Sequence, residues 1–174
     1  MKKLRLLVTK ECPKKCPGCC NKDWDIDNLP KVEHFNYDEI LITGGEPMLI
    51  HDYLVGYIMA IRTVSNAKIY VYTADYNIFL RSIIDHVDGV TLTLHNQRDS
   101  NRLGNFYRMM NSLTSVNKDI IEDLNIIHSK SLRLNVFKGI VIHEDIELQH
   151  WVVKKDIEWI ENRPLPKDEE FKRI

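Results

Sequence analysis

The chain has 174 residues, 44% of them hydrophobic and 28% charged, with a formal net charge of −1. That length suits one domain with a real core. The even charge balance gives no case for a nucleic-acid or membrane-surface partner, and no apolar run approaches the ~18 residues of a membrane span.

The opening run Met1-Lys2-Lys3-Leu4-Arg5-Leu6-Leu7-Val8 is too short and too interrupted for a signal peptide. It reads as a first strand over residues 3–9. Without a targeting segment the expected compartment is the reducing cytosol, where thiols stay free. All four cysteines follow that strand within nine residues, as Cys12-Pro13-Lys14-Lys15-Cys16-Pro17-Gly18-Cys19-Cys20. Such clustering reads as metal or redox chemistry.

Residues 21–37 are rich in Asp, Asn and Pro and read as loop. Ile40–Thr43 is a short apolar run stopped by Gly44-Gly45-Glu46-Pro47, the pattern of a strand buried on both faces. From Asp52 to Ser65 apolar residues recur at helical spacing, with Asp52 as the expected N-cap. Lys68–Thr73 is a strand, Asp75–His86 a helix and Val90–Leu94 a further strand.

A polar loop is expected over residues 95–104, then a short helix near Phe106–Leu113 and an amphipathic helix over Lys118–Ser129. Leu132–Phe137 alternates as a strand. Ile140–Ile142 and Trp151–Val153 are candidate last strands. The domain is expected to span 1–155, with 156–174 as an extended, solvated tail.

Strands alternating with helices argue for an α/β fold with a parallel sheet. Ligands in such folds sit at the carboxyl ends of strands. Cys12–Cys20 and Gly44–Pro47 both follow strand ends, so chain order alone places them on one edge.

Three thiolates from Cys12, Cys16 and Cys19, in a C-x3-C-x2-C spacing, can hold three irons of a 4Fe–4S cluster and leave one iron open. Cys20 adjoins Cys19, and neighbouring side chains point apart, so it is expected not to ligate. Paired glycines let backbone approach a ligand closely.

Together these motifs resemble the radical S-adenosylmethionine (radical SAM) family. The resemblance implies a partial (βα)6 barrel over about residues 3–140. It implies that Cys12, Cys16 and Cys19 bind a 4Fe–4S cluster whose fourth iron takes the amine and carboxylate of S-adenosyl-L-methionine. It implies that Gly44, Gly45, Glu46 and Pro47 contact the methionyl amine, and that Thr73 and Asn135 face the cofactor from strand ends. The implied activity is reductive cleavage of SAM to a 5′-deoxyadenosyl radical that abstracts hydrogen, fed by a donor such as flavodoxin or ferredoxin.

Cys16-Pro17-Gly18-Cys19-Cys20-Asn21, with Trp24 beyond, is similar to the activating enzymes of anaerobic ribonucleotide reductase, which make a glycyl radical on a partner enzyme. Those enzymes have an aromatic at the Cys20 place, an Asp at the Glu46 place and a longer leading segment. Modification of a small molecule or nucleotide is the alternative within the family. A non-catalytic zinc module, with four thiolates or with three thiolates and a histidine such as His34, is the alternative outside it.

His95 reads as an ordinary loop histidine. Arg98, Arg102 and Arg108 read as a solvated loop able to meet an anion, and Lys10, Lys14 and Lys15 as a solvated face that can steer an acidic electron donor.

Overall fold

The computed structural model describes residues 1–16, 19, 21, 24–77, 79–114, 130–160 and 164–174. Seven strands form one sheet: β1 (Lys3–Leu7), β2 (Glu39–Thr43), β3 (Lys68–Thr73), β4 (Gly89–Leu94), β5 (Ser131–Phe137), β6 (Trp151–Ile157) and β7 (Glu169–Arg173). Their order is β6-β5-β4-β3-β2-β1-β7. Every neighbouring pair is parallel. The chain is therefore α/β with a single parallel sheet, as the alternation of patterns predicts.

Register explains why these short apolar runs pair as they do. Leu6, Ile42, Val71, Val90 and Leu132 stand side by side across β1–β5. In-register residues of parallel strands share a face, so this row is one continuous apolar stripe. Helix α1 (His51–Val64) lays Leu54, Ile58 and Ile61 into the core this stripe belongs to. Helix α2 (Phe79–Ile84) adds Leu80, Ile83 and Ile84. Helix α3 (Gln97–Thr114) adds Leu103.

The other face of the sheet is mixed. One row runs Tyr72, Thr91, Arg133 and another Arg5, Leu41, Tyr70, Gly89, Ser131.

Several expectations need correction. The polar stretch 95–104 is mostly helix, because α3 starts at Gln97. Asn96 caps it through Oδ1, which accepts from the Asp99 amide at 3.0 Å. Polar composition there marks an exposed helical face, not a loop. Asp52 lies in the first turn of α1 and is not its N-cap. The chain enters α1 through a 3-10 turn, Pro47–Ile50, capped by the Glu46 carboxylate.

Ile140–Ile142 is no strand. Gln97 brackets Val141 instead, donating to its carbonyl at 2.9 Å and accepting from its amide at 3.0 Å. Trp151–Val153 does begin a strand, β6. The expected helix over Lys118–Ser129 lies outside the described residues.

The solvated tail is also corrected, over residues 169–173. These form β7 beside β1. Phe171 is buried and meets Trp24 edge-on at 4.9 Å, and Glu169 forms an ion pair with Arg5. The composition of a charged tail hides one buried aromatic. Among the described residues no helix is long and apolar enough to cross a membrane.

Ile58 is fully buried between α1 and the sheet. Ile58→Ala is expected to lower the unfolding free energy by about 2–5 kcal/mol, read by urea denaturation. A loss under about 1 kcal/mol would mean that α1 does not pack as described.

Candidate metal and cofactor site

The cysteine loop leaves β1 already paired with the chain leaving β2. The Val8 amide donates to the Thr43 carbonyl at 3.0 Å, the Gly45 amide to Thr9 at 2.8 Å and the Glu46 amide to Glu11 at 2.8 Å. This pairing is possible because residues 44 and 45 lack a Cβ. A Cβ on Gly44 would lie 2.4 Å from the Thr9 oxygen, and one on Gly45 would lie 2.0 Å from the Glu11 oxygen. The sequence suggests that these glycines make room for a ligand. In the structure they make room for the backbone of the cysteine loop. Amides of Gly45 and Glu46 are thereby spent, so the backbone groups left at these positions are carbonyl oxygens, that of Glu46 already accepting from the Leu49 amide at 3.0 Å. Those suit an ammonium group better than an anion.

Glu46 faces inward. Its Oε1 accepts from the Thr73 hydroxyl at 2.5 Å and the Met48 amide at 3.1 Å, and its Oε2 from the Ala74 amide at 2.9 Å. Burial raises its pKa above the ordinary carboxylate value, outweighing these donors, with the Asp75 charge adding to the rise. The side chain ties the end of β2 to the end of β3. Thr73 is the other half of that tie, and its hydroxyl also accepts from the Asp75 amide at 3.0 Å. Pro47 begins the 3-10 turn and is buried.

Asn135 stands apart from this cluster. It lies on β5 beside Thr93, on the mixed face of the sheet, and is partly exposed.

Cys12, Cys16 and Cys19 are free and partly buried. Cys20, Pro17 and Gly18 lie outside the described residues. The Cys12 sulfur accepts from the Lys14 amide at 3.4 Å. Burial raises the Cys12 pKa, and the nearby Glu46 and Cys19 charges raise it further, against the Lys14 amide and ammonium. Burial, then Cys12, push Cys16 up to about 11, with Lys14 opposing.

The three thiols therefore feel one another across the loop. In the protein alone Cys12 and Cys16 favour the protonated form, and a metal would have to displace those protons. Among the described residues no three metal-ligating side chains stand close enough for a ready-made ion site. What fits an iron–sulfur group is the donor chemistry: soft thiols on one short loop, adjoining one another.

Lys14 is the residue that sequence reasoning misplaces. It is not part of a solvated face. Its ammonium donates to Asp99 Oδ1 at 2.7 Å, with little of either side chain exposed. It also lies 5.6 Å from the centre of the Tyr76 ring. Asp99 in turn accepts the His95 amide through Oδ2 at 3.0 Å. Burial opposes ionisation of Asp99, but contacts with His95 and Lys14 prevail and hold its pKa at about 2. The Lys14–Asp99 pair thus pins the cysteine loop to the start of α3. No local signal marks it, because its partners are 85 residues apart.

His95 is more than a loop residue. Its Nδ1 is buried, 3.6 Å from Asp99 Oδ2 and without a hydrogen bond, and its ring lies 5.2 Å from Phe137. Lys10 pairs with Asp27, and Lys15 is exposed. Arg102 pairs with Asp75 at 2.5 Å and Arg108 with Asp145 at 2.5 Å, while Arg98 is exposed. His34 stacks on Tyr37 and lines a cavity of about 780 Å³ with Asp38 and Lys68. Those residues precede β2 and begin β3, so His34 stands at the opposite end of the strands from the thiols.

Compared with known proteins, no family model matches this chain and no curated protein matches it.

Two outcomes test this geometry. Gly45→Ala should cost about 2–4 kcal/mol and speed labelling of Cys12 and Cys16 by thiol reagents, since the clash is with loop backbone. Unchanged labelling and melting would refute the packing. Asp99 ionises below its ordinary 3.8, so its stabilisation is present above pH ~4 and fades as pH falls toward ~2. Wild type should exceed Asp99→Asn by roughly 2 kcal/mol near neutrality. That gap should shrink on acidification, as measured by urea unfolding between pH 3 and 6. A gap independent of pH would overturn the assignment.

Proposed function

We propose that this chain is a radical SAM enzyme. The observation that carries the reading is the direct hydrogen bonding of the Gly44–Glu46 turn to residues 9–11 of the cysteine loop. It supports one site built from both motifs at the carboxyl ends of β1 and β2. A bound 4Fe–4S cluster would supply the electron that cleaves S-adenosyl-L-methionine to methionine and a 5′-deoxyadenosyl radical, the agent of hydrogen abstraction.

Within that reading Cys12, Cys16 and Cys19 are the cluster ligands. The Gly44–Pro47 turn seats the methionyl amine through carbonyl oxygen. Glu46 and Thr73 brace that turn from within and do not touch the cofactor. Asn135 meets SAM from the mixed face of the sheet. The unbroken order of β1 to β6 is what a partial (βα)6 barrel requires, with the mixed face turned inward. An electron donor of the flavodoxin or ferredoxin kind would dock near exposed Lys15, in the cytoplasm.

Of the two branches, activation of a glycyl-radical partner and modification of a small molecule, the second has a specific observation behind it. The mixed face offers polar groups to a small ligand, Arg133 and Asn135 among them, and both are partly exposed. A zinc module completed by His34 is disfavoured because that residue lies at the far end of the strands.

The test is anaerobic. Purified and reconstituted protein should be brown, absorb broadly near ~400 nm, and with a reductant convert SAM to 5′-deoxyadenosine. Cys12→Ala, Cys16→Ala and Cys19→Ala should each abolish that product, whereas Cys20→Ala should keep it. A colourless protein holding stoichiometric zinc after reconstitution would end the proposal.

A further inference from the structure

On the mixed face of the sheet Lys3 pairs with Glu39 and Arg5 with Glu169, and the Arg173 guanidinium donates to the Leu29 carbonyl at 3.0 Å. Arg133, on β5, has no carboxylate partner among the described residues. Its guanidinium rests over the Tyr70 ring at 5.1 Å. Between their strands stands Gly89, in register with Tyr70 and itself without a side chain. Directly beside Arg133 is Thr91, only 2% exposed, and its Oγ1 has no hydrogen-bond partner.

Leaving a buried hydroxyl unpaired is unfavourable. An arginine parked on an aromatic ring keeps all its donors available, in a planar fork that matches a carboxylate or phosphate. Thr93 and Asn135 flank the pair one step toward the carboxyl edge, and both are partly exposed. The Thr93 carbonyl accepts from Tyr76 at 2.5 Å, and the Tyr76 ring lies under Lys14 of the cysteine loop. Tyr76 thus links the stretch of β4 beside Asn135 to the loop that carries the thiols. The arginines that follow β4 are poorer candidates, since Arg102 and Arg108 are already paired.

We propose that Arg133, with the unpartnered Thr91 hydroxyl beside it, binds an oxyanion group of the substrate, a carboxylate or a phosphate. A substrate held there is a small anionic molecule. Calling the ligand the substrate rests on the proposed function, but the binding of an anion at this place does not.

The experiment is an NMR titration of the full chain with inorganic phosphate in one arm and acetate in the other. Saturable shifts are expected at the Arg133 side-chain N–H and at the amides of Thr91, Thr93 and Asn135. The arm with the tighter midpoint identifies the oxyanion. Arg133→Gln should weaken binding roughly tenfold or more and Thr91→Val by a few-fold, while Arg98→Gln leaves it unchanged. Thr91→Val removes only a hydroxyl with no partner and so tests the site even if Arg133→Gln misfolds. Absence of saturation in both arms would overturn the proposal, as would equal affinity in wild type and Thr91→Val. The titration needs neither cluster nor SAM, so its failure leaves SAM cleavage standing, and the reverse.

Discussion

The structure depends on a contact made where two side chains are missing. Residues 9–11 lie against Gly44 and Gly45 so closely that a Cβ at either place would overlap a carbonyl oxygen. Three backbone hydrogen bonds then extend the pairing of β1 and β2 past the end of β1. The cysteine loop starts from that seam, so its position is set by main-chain geometry before any thiol is considered. Flexible loops are poor places for a metal, because ordering them costs conformational entropy. Here part of that ordering is supplied by the sheet.

The same edge holds two buried carboxylates treated in opposite ways. Glu46 receives three hydrogen bonds from neutral donors and pairs with no cation among the described residues, and burial leaves it less acidic than usual. Asp99 has the Lys14 ammonium within bonding distance, and it stays ionised far into acid. One group is a polar brace between strand ends, and the other is an electrostatic clasp on the loop. Together they fix the loop from both sides, through β2–β3 and through the start of α3.

The parallel sheet was legible because a strand buried on both faces leaves an apolar run, as in Ile40–Thr43, and because strand patterns alternate with helical ones along the chain. The common edge of the two motifs was legible because it follows from chain order. The inward turn of Glu46 was not, since a glutamate after two glycines reads the same whether it faces a ligand or its own backbone. Lys14 was misread because a lysine among lysines looks solvated until its partner, 85 residues away, is seen. Helix α3 was partly hidden by its polar outer face, and β7 by charges surrounding Phe171.

Strand β7 has a consequence for how the chain folds. Arg5 and Glu169, which join β1 to β7, are 164 residues apart. Closing so long a loop before the contact is made costs entropy, and topologies built on such contacts fold slowly. Until residues 169–173 arrive, β1 presents an open row of backbone donors and acceptors, the condition that invites pairing with another chain. The strand that delivers the cysteine loop is thus flanked on one side by a partner nearer in sequence and on the other by one 164 residues away.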